Sequence, residues 1–548
     1  MNKTISLFRN IHLSWNIVWI SLFAIGMGIF LIGMPKYLDD LWFLCSFGDW
    51  FRGNGVDYPT NDINLFSTEF PWKEIQETWR DHYMYDNARL GNIIVVLFLL
   101  LPKWIGSLIC LGIGIYVIIK SFDICGIDIS RSALVPFGLA LWYILMPWQN
   151  HMGSLVFQFN YIIPSILAIF VLKFIFCRMT KIHQLPLLFV ETLIISILFG
   201  VWNEAFSIPI ISGLTLTLLF YKPLRNLNTY AALTGLTIGL LWLLLALGFS
   251  VRYNALDHSY VGNVLTVIKR FVKIISFHPS IVILIILQGW ILLKKGQRNL
   301  RKSPFICFVN TSAVGSIILS FLTTGMPRSA WWCDMISVIG ILYILQRYYG
   351  LYWSVYKKSN IIWGASAMTI VFSSLILTDI CVIKTAKECR KIISCFHDNP
   401  HGNVYNEWVA ALDCPVLMLS KFDTYPEGYL HLIPPYHWSA KELTSGRINV
   451  VPERLKAITP SEGEFIPGEG GVKRIDNYYV IEADSGIIGQ GKVDLCLDNG
   501  RIVDANAVVI PFVSEYDQRK YYNMLIYDRK IERLFHKINS IGKYKDNR

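Results

Sequence analysis

Two adjacent carboxylates, Asp39 and Asp40, stand in the segment Pro35-Lys-Tyr-Leu-Asp-Asp-Leu-Trp. Like charges side by side raise the proton affinity of one of the two groups. Such a pair can take a proton from a hydroxyl, such as that of a sugar, or hold a divalent cation. A solvated loop start or a helix cap would use the same residues. Asn87-Ala88-Arg89 follows, with a guanidinium able to grip a phosphate through two hydrogen bonds or to snorkel at an interface. Gly153-Ser154 leads to Asn160-Tyr161, Trp202-Asn203 leads to Glu204, and Arg328 stands among aromatics in Met326-Pro-Arg-Ser-Ala-Trp-Trp332. Asp334, one turn beyond, is a candidate ion-pair partner for Arg328. Glu191 stands within the apolar run that ends at Trp202. No Cys-x-x-Cys or His/Cys metal spacing occurs in the sequence.

The elements that position these residues must be membrane helices. The 548-residue chain is 53% hydrophobic and only 16% charged, with a mean hydropathy of +0.43. About a quarter of a soluble domain is charged, so the composition excludes a disordered chain and an ordinary cytosolic enzyme. Eleven segments are apolar enough to span a bilayer: 13–34, 104–120, 132–147, 157–176, 185–202, 206–221, 229–249, 279–293, 304–324, 332–346 and 361–383. Asn92–Leu101 is apolar but too short, as in a re-entrant or interfacial helix. Val261–Ile275 alternates apolar residues with Lys269, Arg270 and Lys273 at helical spacing, as in a helix lying on the bilayer surface.

Charge sets the orientation. With the N-terminus cytoplasmic, the inner segments hold 17 Lys and Arg residues against Asp123 and Asp128 alone. Short loops on the opposite side, such as Trp148–Val156 and Asn203–Ser207, are nearly free of basic residues. The outer face then carries the first loop, about 35–103, with ten acids, together with the short turns bearing Asn160, Glu204 and Arg328. An odd span count puts 385–548 on that same side. The net charge of +11 belongs to the apolar part, since 385–548 holds 21 basic and 22 acidic residues. The basic balance is thus no sign of nucleic-acid binding.

Residues 385–548 read as a small mixed α/β domain. A helix at 385–400 carries Cys389 and Cys395, strands alternate at Tyr478–Ala483, Lys492–Leu497 and Ile502–Phe512, and Gln518–Ser540 reads as a closing helix. With Cys414 and Cys496 this domain has four cysteines, which an oxidising compartment would permit to pair.

Taken together, residues 1–384 resemble the GT-C superfamily of polytopic glycosyltransferases, and within it a bacterial family of cell-surface polysaccharide loci. The resemblance is carried by the paired acids Asp39-Asp40, by Asn87-Ala88-Arg89 where Asn-Gly-Arg is usual, by Gly153-Ser154 with Asn160-Tyr161, and by the turn containing Glu204. It implies a GT-C-like fold of about eleven spans and an enzyme that moves a sugar from a polyprenyl-phosphate carrier to a glycan or lipid-linked acceptor. Asp39 or Asp40 would be the base or a ligand for Mg or Mn, which some members use and others do not. Arg328 and Arg89 would hold the donor phosphate. Glu204, Asn160, Tyr161 and Asn87 would line the sugar or acceptor pocket. The implied setting is a bacterial inner membrane with 385–548 in the periplasm. A transporter or flippase would favour internal repeats and polar groups at mid-depth. A polymerase or ligase would load a late outer loop. Neither pattern is seen.

Overall fold

The computed structural model describes residues 2–33, 40, 43, 72–85, 88–130, 132–148, 152–177, 186–254, 264–294, 303–323, 327–354 and 358–398, and in the tail 404–405, 450–451, 464–465, 473–475, 478–482, 489–513, 520–527 and 538–546. Apolar runs without polar interruption have one way to satisfy their backbone in lipid, which is to coil. The helices are α1 (Asn2–Gly33), α2 (Trp72–Tyr85), α3 (Leu90–Leu99), α4 (Lys103–Ile124), α5 (Leu134–Leu145), α6 (Leu155–Leu172, containing a π turn at Gln158–Ile162), α7 (Pro186–Trp202) and α8 (Glu204–Phe220). They continue with α9 (Leu227–Leu245), α10 (Leu247–Asn254), α11 (Val264–Phe277), α12 (Pro279–Leu293), α13 (Pro304–Leu322), α14 (Trp331–Ser354) and α15 (Lys358–Asp398).

Seven of these are long and apolar enough to cross a membrane, or eight when the pair α11 and α12, bent by 82°, counts as one. This is the architecture of a polytopic helical membrane protein. The other expected spans fall on shorter apolar helices, α5, α7 and α8. The short run before the second span is the ten-residue α3. Large side chains such as Leu245, Leu293 and Trp363 face outward, where only lipid removes the cost of exposing them.

Contacts fix the direction of the first and last spans. Trp19 stacks on Phe372 with centroids 5.5 Å apart, Gly26 lies against Leu375, and Gly33 lies against Val382. The pairs ascend together, so α1 and α15 run parallel. The chain leaves α15 at the end of the bundle that holds the C-terminus of α1. The opposite end is tied by Asn16, whose Nδ2 donates to Ile129 O at 2.7 Å, and by Gln346, which donates to Gly126 O at 3.2 Å.

α15 corrects one expectation. The helix at 385–400 is not a separate element but the continuation of the last span in one 41-residue helix. The tail beyond it holds, among its described residues, a parallel pair of two-residue strands (β1 Val404–Tyr405, β2 Val450–Val451) and a seven-stranded antiparallel sheet. The sheet comprises β3 (Glu464–Phe465), β4 (Lys473–Ile475), β5 (Tyr478–Glu482), β6 (Gly489–Leu497), β7 (Ile502–Val513), β8 (Lys520–Tyr527) and β9 (Ile538–Asp546), in the order β3-β4-β5-β8-β7-β6-β9. The three expected strands are β5, β6 and β7. The expected closing helix over Gln518–Ser540 gives way to β8 and the start of β9. Its run Tyr521-Tyr-Asn-Met-Leu-Ile-Tyr527 is aromatic and β-branched, favours a pleated surface, and is paired on both sides, Val508 with Leu525 and Val480 with Leu525. Cys496 is a free thiol. Cys414 and the side chains of Cys389 and Cys395 lie outside what the structure describes.

Candidate functional site

The N-terminus of α6 organises the site. Ser154 is its extended N-cap residue and makes no side-chain cap of its own. Asp40 supplies the cap from 114 residues away: one carboxylate oxygen accepts from Ser154 Oγ at 2.8 Å and from the Val156 N–H at 2.9 Å. The side chain is fully buried. A helix N-terminus offers unpaired N–H groups and a partial positive charge, and both favour a carboxylate there. The turn leading in is pinned twice more. The buried Lys103 ammonium donates to Gly153 O, and Gln158 Nε2 donates to Leu31 O at 3.1 Å and to Met152 O at 3.0 Å. Asp39 and Asn87 lie outside the described residues.

One turn on, the π turn at Gln158–Ile162 releases carbonyls from the helical ladder. Such turns cluster at functional sites. Trp202 Nε1 donates to Phe159 O at 2.8 Å and Asn203 Nδ2 donates to Asn160 O at 2.9 Å, so the break between α7 and α8 is built onto the break in α6. Asn203 also caps α8, accepting from the Ala205 N–H at 3.0 Å. The Asn160 amide donates to Asn92 Oδ1 at 2.7 Å and to Val156 O at 2.9 Å, while its own Oδ1 is buried without a partner. α3 comes flush against this cluster because Gly91 lacks a Cβ, which would lie 2.7 Å from Asn160 Oδ1.

Arg89, just ahead of α3, and Glu204, first residue of α8, meet in a two-pronged ion pair. Nε donates to Oε2 at 2.8 Å and a second guanidinium nitrogen donates to Oε1. Two residues expected to face a ligand separately are therefore joined to each other. Tyr161 belongs to an aromatic cluster with Phe157, Phe206 and Trp331. The Arg328 guanidinium sits 4.3 Å from the centre of the Phe157 ring, a cation–π contact that brings it over the first turn of α6. Asp40, Asn160, Tyr161 and Arg328 thus share one stretch of helix, with Arg89 and Glu204 alongside.

Asp334 is not the partner of Arg328. His278 Nδ1 lies 2.7 Å from one of its oxygens and Ser280 Oγ donates to the other at 2.5 Å, all three fully buried. His278 Nε2 has no hydrogen-bond partner. The His278-Pro279-Ser280 hinge was missed in the sequence; its signal was the proline directly after an amphipathic run. Glu191 is exposed near the start of α7 and not within the bundle.

Chemically, this end of the bundle gathers the N-termini of α6, α8 and α14 with Arg328, a setting favourable to an anion, beside a buried carboxylate. Among the described residues no three His, Cys, Asp or Glu side chains form a metal-binding group. The divalent-cation expectation concerned Asp39 and Asp40, of which Asp39 lies outside the described residues. No protein-family model, no curated protein and no solved structure matches the chain.

Proposed function

We propose that the protein is a membrane glycosyltransferase of GT-C type, moving a sugar from a polyprenyl-phosphate carrier to a glycan or lipid-linked acceptor. It acts at the periplasmic face of a bacterial inner membrane, with an N-terminus in the cytoplasm. The observation that carries this reading is the junction of Asp40 with the start of α6, over which Arg328 is stacked. It brings the Asp40 carboxylate and the Arg328 guanidinium to the same helix end, and transfer from a lipid phosphate would use an acid and a cation together. The acceptor hydroxyl attacks the anomeric carbon and the bond from that carbon to the phosphate oxygen breaks. The electron pair leaves with the polyprenyl phosphate, whose charge Arg328 stabilises. The hydroxyl proton passes to Asp39, while Asp40, bound by Ser154 and Val156, holds the loop in place. Arg89 and Glu204 keep α3 and α8 together beside Asn160, whose side chain, closed over by Gly91, holds the π turn of α6 in place next to the sugar pocket.

The test is sugar transfer by the full chain in proteoliposomes supplied with polyprenyl-phosphate sugars. Asp39→Asn should lower the rate by about 100-fold or more, the usual worth of a positioned base. Undiminished transfer by Asp39→Asn and by Asp40→Asn would remove the carboxylate pair from the reaction.

A further inference from the structure

Helix α11 divides its surface three ways. Toward the protein, Ile274 is buried and Arg270 is bound to the C-terminal carbonyls of α13: Nε donates to Phe321 O at 3.0 Å, a second guanidinium nitrogen donates to Thr323 O, and the group lies 5.7 Å from the Phe321 ring centre. These contacts fix the rotation of the helix about its axis. A second side exposes Val264, Leu265, Ile268, Phe271 and Val272. A third exposes Lys269 and Lys273, one turn apart, and the helix contains no acidic residue. The 82° bend at His278, held by Asp334 and Ser280, lays α11 across the direction of α12. The chain that Arg270 anchors at Thr323 reaches Arg328 five residues later.

We infer that α11 is the surface on which a polyprenyl-phosphate lipid docks before its phosphate reaches Arg328. The apolar stripe matches an isoprenoid chain, and two lysines on a helix that carries no acid match a phosphate at the membrane surface. The end of α13 that Arg270 grips also meets the turn carrying Arg328, with Ser320 Oγ 2.7 Å from Ser329 Oγ, which argues for a lipid that is handed onward, as a bulk acidic phospholipid would not be. The inference rests on the donor proposed above and adds where that donor is received.

The full chain, placed in nanodiscs of neutral phosphatidylcholine with a photoreactive polyprenyl phosphate, tests it. Cross-links should map to α11. Lys269→Gln with Lys273→Gln should reduce captured lipid about 30-fold, from roughly fivefold for each surface lysine. The lipid-linked sugar needed for half-maximal transfer should rise by a similar factor. Absent cross-links, capture unchanged in the double variant, or displacement by an equal amount of phosphatidylglycerol would each overturn the inference. Lysine-dependent capture without sugar transfer would leave the docking surface standing and sink the glycosyltransferase reading. Transfer with an unchanged lipid requirement in the double variant would do the reverse.

Discussion

The two ends of the helix bundle treat charge differently. At the end where α1 finishes and α6 begins, Asp40 and the His278–Asp334 pair are fully buried, and the Arg89–Glu204 pair is only 12% and 17% exposed. At the other end Asp123 is 54% exposed and meets Lys120 at 3.3 Å and Lys173 at 3.6 Å across open surface. Exposed pairs contribute little to stability, whereas ionisable groups held out of water near a membrane are expensive. The cost is concentrated at the end with broken helices, a π turn and convergent helix N-termini. Ordinary folding would place such groups at either end; among the described residues they gather at one.

Substitutions can break or sharpen that contrast. The largest stability loss should come from Asp334→Ala, which strands His278 and Ser280 in the interior and should destabilise by about 3 kcal/mol. Thermal unfolding of the detergent-solubilised protein reads it, and a shift within error would place these groups in contact with water after all. Arg89→Ala and Glu204→Ala should each cost about 2 kcal/mol, less than a fully buried pair because both side chains retain some solvent. The double variant should lose less than the sum of the singles, and strict additivity would mean the pair does not interact. Smallest of all, Asp123→Ala should change stability by less than about 0.5 kcal/mol. A larger effect there would erase the difference between the two ends.

How much of this was written in the sequence follows from distance along the chain. Each of the eleven apolar segments coincides with a helix, because a run of such residues has few alternatives in lipid. The residues Asp40, Asn160, Arg89, Glu204 and Arg328 were visible by type. Their partners were not: Asp40 finds Ser154 and Arg89 finds Glu204 across more than a hundred residues, and only the packing of α3, α6 and α8 decides those meetings. Asp334 was assigned the nearest cation in sequence, while the fold brought His278 from another helix. In the tail, 518–540 mixes polar and apolar residues without a firm period, and its pairing with β7 and β5 decided for strands.

The unbroken 41 residues of α15 have a consequence for whatever lies beyond Asp398. A helix advances about 1.5 Å and turns about 100° per residue, so the length of α15 past Val382 sets the direction in which the chain leaves it. One residue more between Val382 and Asp398 would scarcely advance that exit, yet it would turn it through more than a quarter of a circle.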